Sequence, residues 1–267
     1  MSLVNLAPVD LVIKLALWSA YIANEDQPIS LLLCADAEAA KTRAVSQAIT
    51  LPGIIYPTDC TAFGILTEYG EEIRKRKVRH IIVPDLISPF SKRWETSASF
   101  VAFLNNLIEE GILEVRTKAL SKKYASEVKC GLIGCITPKE LQDSRHRWVG
   151  MGFMSRMLPV SWTYKTTTKT AIFDQIIQGI DGKERWADKF PSTDIPVHMP
   201  IDFGQALLPY TMTFANAHST YGFRYQRHLQ RLLKASALER GDEVVRGIDL
   251  DRLLSCVDIL NLKRTAL

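Results

Sequence analysis

A chain of 267 residues has room for one large domain, or a core plus a small second domain, and can bury a full core without covalent staples. Hydrophobic residues make up 47% and charged residues 23%, the balance of a soluble globular protein, and the net charge of +4 is too weak to argue for a nucleic-acid partner unless basic residues cluster. The five cysteines (Cys34, Cys60, Cys130, Cys135 and Cys256) are odd in number and scattered mostly through apolar runs, which argues against a disulfide framework and fits a reduced cytoplasmic protein. No His or Cys beside Cys130 and Cys135 completes a zinc set. No run of about 18 apolar residues exists to span a membrane. The opening stretch Met1–Tyr21 carries Asp10 and Lys14 and lacks both a basic head and a small-residue cleavage site, so no signal peptide is expected.

In chain order, Pro8 and Asp10 open a helical pattern through Leu11, Leu15 and Trp18. Ile29–Cys34 is a short apolar run of the kind that forms a buried strand, and Lys41–Val45 begins a helix after a loop. Gly53–Tyr56 reads as a second strand, Thr61–Arg76 as a helix with a charged end, and His80–Val83 as a third strand closed by Pro84 and Asp85. Ser97–Glu110 is an amphipathic helix. Ile112–Arg116 and Glu127–Cys130 are expected to pair as a hairpin around a basic tip, Lys118–Lys123. Gly131–Ile136 continues into a buried strand that stops at Thr137 and Pro138, and Leu158–Trp162 is the last strand. Lys165–Lys169 reads as a loop or helix entry. After about Ile201 the pattern turns helical, over Phe203–Asn216, Gly222–Arg240 and Asp249–Leu262. Alternating strands and helices predict an α/β fold with a mostly parallel sheet over residues 1–200, followed by a small all-helical domain over 201–267.

Ala35-Asp36-Ala37-Glu38-Ala39-Ala40-Lys41-Thr42 follows a buried strand and opens a helix, the setting a phosphate-binding loop requires. Amide groups at the helix start would face the phosphates of ATP, Lys41 would reach the outer ones, and the Thr42 hydroxyl would hold Mg2+. Both glycines of the generic G-x-x-x-x-G-K-[ST] pattern are missing, and glycine is what lets such a backbone fold tightly.

The loop resembles that of the MCM helicases, G-D-P-G-x-A-K-S, in Asp36, Ala40, Lys41 and Thr42, while Ala35 and Glu38 replace its glycines and Ala37 its proline. Later segments follow the same order. Asp85 ends the strand where AAA+ ATPases place the acid that organises Mg2+, and Thr137 ends the strand where they place the sensor of the γ-phosphate. Phe153–Leu158 resembles the segment whose arginine reaches a neighbouring subunit's ATP, which would be Arg156; Arg145 or Arg147 are alternatives. Arg227–Leu233 resembles the lid helix carrying a second sensor arginine, mapped to Arg227, with Arg231 on the same face and Arg224 nearby. The family places a glutamate after the strand-end aspartate, and this chain has Leu86. Asp85 itself takes that place, another acid such as Glu95 supplies it, or hydrolysis is impaired.

The resemblance implies a P-loop (AAA+) core with a helical lid, ATP and Mg2+ as cofactors, and a homo-oligomeric ring or filament that remodels or translocates DNA in the manner of a replication helicase or loader. Lys118, Lys122 and Lys123 would track phosphates there, and Tyr124 would stack on a base. The rival expectations are a nucleotide-gated scaffold with little hydrolysis and a protein-remodelling ATPase. The run Arg74–Arg79 is more simply the basic end of a helix.

Overall fold

The computed structural model describes residues 6–90, 94–117, 120–180 and 185–260. Five strands, β1 (Leu31–Cys34), β2 (Ile54–Ile55), β3 (His80–Val83), and, numbered after the hairpin, β6 (Gly131–Ile136) and β7 (Leu158–Ser161), form one sheet in the order β2-β3-β6-β1-β7. Every neighbouring pair is parallel. A parallel sheet needs crossovers that cover both faces, and the strands accordingly read as short apolar runs rather than as alternations.

The first half of the chain supplies helices α1 (Ala7–Trp18), α2 (Lys41–Ser46), α3 (Ala62–Glu68), α4 (Gly70–Arg74), α5 (Ile87–Phe90) and α6 (Trp94–Asn105), with α6 running on as a π turn over Asn106–Glu110. The second half supplies α7 (Pro138–Gly150), α8 (Thr166–Ile177), α9 (Ile201–Ala206), α10 (Leu208–His218), α11 (Phe223–Glu239), α12 (Gly247–Leu254) and α13 (Val257–Leu260). The strand period of two divides the core. Leu31 and Leu33 of β1 face one apolar cluster with α1, α2 and α11, while Leu32 and Cys34 face another with α3, α4, α6 and α7.

The helices expected after Ile201 are present, and α11 packs along α1 in the same cluster as the sheet. Leu229, Leu232 and Leu233 of α11 are buried there, each stabilising the packing by about 2 kcal/mol.

Two local expectations are corrected. The helix over Thr61–Arg76 divides into α3 and α4 at Tyr69–Gly70, where Tyr124 packs so tightly that a Cβ on Gly70 would lie 2.5 Å from its hydroxyl. The hairpin pairs β4 (Ile112–Arg116) with β5 (Ser121–Val128), so Lys122 and Lys123 lie within a strand and not in the tip. Lys165–Lys169 lies at the entry to α8, as one of its two expected readings has it, and a full helix not foreseen in the sequence, α7, follows Thr137.

The basic run is structural. Arg74 pairs with Glu71, and Arg76 and Arg79 both pair with Asp194, with Arg79 also lying 4.0 Å over the Tyr21 ring.

Candidate functional site

β1 lies inside the sheet between β6 and β7, so the loop after it opens at the carboxyl edge of the sheet, where α/β folds hold ligands. Ala35 and Ala39 are buried, whereas Asp36, Ala37, Glu38 and Thr42 are exposed. Two loop residues take the left-handed conformation that glycine favours, Glu38 at φ 63° and Ala40 at φ 60°. The glycine-like turn is therefore made without glycine, at a cost of about 1–2 kcal/mol per residue. Trp162 Nε1 and Tyr164 Oη, just past β7, both donate to the Ala39 carbonyl, at 3.0 and 3.3 Å, and hold the loop down from one side.

Lys41 folds back over the loop. Its Nζ donates to the carbonyls of Ala35 and Asp36, at 2.5 and 2.7 Å. Burial pushes this ammonium below its usual range, and the nearby charges of Glu140 and Asp36 act in the opposite direction. A cation held by two neutral carbonyls can exchange them for anionic oxygens with little motion of its own.

Asp85 is exposed beyond the end of β3, where its Oδ1 accepts from the Ile87 amide at 3.2 Å, closing a turn. Burial and the charges of Lys41 and Asp85 all act on the thiol of Cys135, on the strand between them, and burial dominates, pushing it up to about 12. Leu86 is fully buried and its amide donates to the Cys135 carbonyl at 2.9 Å. It packs so closely on Gly134 that a Cβ there would come within 2.8 Å. The position after Asp85 thus faces the core and presents nothing to a ligand. The side chain of Glu95 lies outside the described residues.

Thr137 caps α7. Its hydroxyl donates to Glu140 Oε2 at 2.7 Å and accepts from the Glu140 amide at 3.3 Å, while its own amide donates to Glu140 Oε2 at 2.9 Å. This reciprocal capping box fixes the Glu140 carboxylate at the strand end, close enough for its charge to act on both Lys41 and Cys34. The site residues expected from the sequence do not include Glu140, although Thr-x-x-Glu after an apolar run is a legible cap. The carboxyl edge therefore gathers Lys41, Thr42, Asp85, Thr137 and Glu140.

Arg156 and Arg227 stand elsewhere. Arg156 lies just before β7, and β7 runs parallel to β1, so it sits at the amino edge, a strand's length of about 13 Å or more from Lys41. It is bound to Glu109 at 2.5 Å, to Glu110 at 3.0 Å and to the Gly152 carbonyl at 2.9 Å. Arg224 shares Glu109 at 2.7 Å, and Arg156, Arg224, Arg227 and Arg231 all line a space of about 10 Å³ around it, room for one water. Arg231 is held by Glu25 at 2.7 Å. Arg227 is thus a neighbour of Arg156 and not of the loop.

On the hairpin, Lys123 is exposed and Lys122 lies 4.9 Å over the Tyr124 ring. Tyr124 itself is 4% exposed with its hydroxyl on the Leu66 carbonyl, so it is a core residue and cannot stack on a base, which corrects that expectation. Lys118 lies outside the described residues.

Among the described residues no helix is long and apolar enough to cross a membrane, and no three His, Cys, Asp or Glu side chains group as metal ligands. No protein-family model matches the chain, and no curated protein matches it either. Fold and site together define an α/β protein with a parallel five-stranded sheet and a lysine-bearing loop at its carboxyl edge.

Proposed function

We propose that this chain is an AAA+-like ATPase subunit that binds ATP and Mg2+ on the loop Ala35–Thr42 and works as a head-to-tail oligomer. The observation that carries the reading is Lys41, set after a buried central strand with its ammonium held by two loop carbonyls. Lys41 would take the outer phosphates, Thr42 and Asp85 the Mg2+, and Thr137 with Glu140 the water that attacks. Arg156 lies too far from its own loop to act there, which supports a role on the next subunit's ATP; Arg227, beside it, would act from the same side. The helices after Ile201 would form the lid element. DNA is the proposed substrate, met by Lys122 and Lys123 on the β4–β5 hairpin.

A second reading, a nucleotide-gated scaffold with little turnover, draws support from two observations. Leu86 is buried where the family carries its glutamate, and Glu38 puts a negative charge on the loop.

The test is Lys41→Ala, followed by calorimetric titration with ATP and Mg2+. Loss of two charge-assisted bonds is expected to weaken binding about 100-fold or more. Unchanged affinity removes the site. Turnover that rises with added DNA favours the motor, and ATP-driven assembly without turnover favours the scaffold.

A further inference from the structure

A second concavity, of about 840 Å³, lies away from Lys41, between α7 and the corner joining α10 to α11. Leu32 and Pro159, register partners on β1 and β7, line it together with Val149, Met157, Phe214 and Tyr225. Phe214 stacks on Tyr225 at 3.8 Å and meets the His218 ring at a tilt at 4.4 Å, which stiffens one wall. Its size is that of sites that enclose small organic molecules, about 300–1,000 Å³.

The polar part of the lining carries one sign only. Arg145, His146, His218, Arg224 and His228 line it and, among the described residues, no carboxylate does. Arg224 is neutralised by Glu109, whereas Arg145 has no acidic partner among the described residues. His228 is 5% exposed, and neither of its ring nitrogens has a hydrogen-bond partner among the described residues. The Nε2 of His218 is likewise buried and unpartnered. Leaving such atoms unpaired is costly in a folded chain, and a ligand acceptor relieves the cost at the ring nitrogen of each histidine that carries its proton. Burial pushes His228 down to about 3, so it meets a ligand as a neutral N–H donor.

We infer that this cavity binds a small amphipathic carboxylate, with its apolar body along Leu32, Pro159 and Val149 and its head group on Arg145, His218 and His228. The site is separate from the nucleotide loop and does not rest on it.

Decanoate is the probe, with decylammonium as the control of equal body and opposite charge. Calorimetry on the full chain is expected to give one saturable decanoate site, with decylammonium weaker by about tenfold or more, the weight of a charge-assisted contact. Arg145→Gln is expected to lose a similar factor. Gly150→Phe fills the cavity from its rim, where an added Cβ meets nothing within 4 Å, and is expected to abolish binding in a chain that melts normally. Lys41→Ala is expected to bind decanoate as the parent does. Equal affinity for the two probes, no saturable decanoate site, or full affinity in Gly150→Phe each overturns the proposal. So does a parent chain that self-associates and takes no decanoate while Gly150→Phe stays monomeric, because a second copy then fills the cavity.

Discussion

Thr137 and Glu140 hold each other, with the hydroxyl donating to Glu140 Oε2 at 2.7 Å while the Glu140 amide donates back to the hydroxyl at 3.3 Å. The carboxylate fixed in this way is the acid at the strand end that acts on Lys41. Glu140→Gln keeps an acceptor for both donors of Thr137 and removes only the charge. Stability is expected to change by less than about 0.5 kcal/mol. If Glu140 orients the attacking water, ATP turnover falls about 100-fold while ATP binds as well or better. Thr137→Ala removes the cap and is expected to cost about 1 kcal/mol in denaturant unfolding. Parental turnover in Glu140→Gln sinks the catalytic assignment and leaves a helix cap alone.

The loop backbone makes a separate prediction. Glu38 holds φ 63° and adds a negative charge where a triphosphate would lie. Glu38→Gly relieves the left-handed strain, worth about 1 kcal/mol, but loosens the unfolded chain by a similar amount, so the melting temperature is expected to move little. Affinity for ATP is expected to rise about fivefold, from roughly 1 kcal/mol of repulsion removed. Glu38→Gln removes the charge and leaves the strain, so it separates the two effects. A fall in affinity in both variants argues that Glu38 serves the ligand instead of opposing it.

His80 sets an acid limit on the fold. Its ring is buried in β3 with Nε2 on the Ile29 carbonyl at 3.2 Å, over Gly131, where a Cβ would lie 2.2 Å away. Burial lowers its pKa from 6.5 to about 4. The folded state resists the proton that the unfolded chain accepts, so the contribution of neutral His80 is complete above about pH 6.5. It is lost as pH falls from 6.5 towards 4, by about 3 kcal/mol in all. Urea midpoints measured between pH 7.5 and 4.5 check this. His80→Gln, which can still donate to Ile29, is expected to flatten the slope. The remaining slope belongs to His218 and His228, both depressed by burial, His228 to about 3, and towards its acid end to Glu71, held low by Arg74. An unchanged profile in His80→Gln assigns the acid sensitivity elsewhere.

Strands were legible because burial on both faces leaves nearly continuous apolar runs, as in Leu31–Cys34, His80–Val83 and Gly131–Ile136. Helix α7 was not, because only Leu141 and Trp148 of its residues are buried and the rest are largely polar. Strand β5 buries just Tyr124 and Val128, four residues apart, so its period of two never appears in the sequence. The loop and its lysine were readable from local order. That Arg156, Arg224 and Arg227 gather around Glu109 was not, because helices far apart in sequence bring them there.

That arrangement yields the sharpest test of assembly. Removing Arg156 leaves Glu109 paired with Arg224 at 2.7 Å, so Arg156→Ala is expected to cost only about 1 kcal/mol of stability. Its loop is untouched, and ATP affinity is expected to be parental. Turnover is expected to vanish in Arg156→Ala and in Lys41→Ala when each is alone. The two lesions lie on opposite edges of the sheet. In a head-to-tail oligomer, one chain's intact Arg156 can then meet the other's intact Lys41. Mixing the two variants in equal amounts should restore turnover at about a quarter of the interfaces. A subunit complete in itself gains nothing from mixing, because neither chain alone holds both groups. Absence of recovery in a mixture shown by light scattering to have co-assembled rejects the trans role of Arg156.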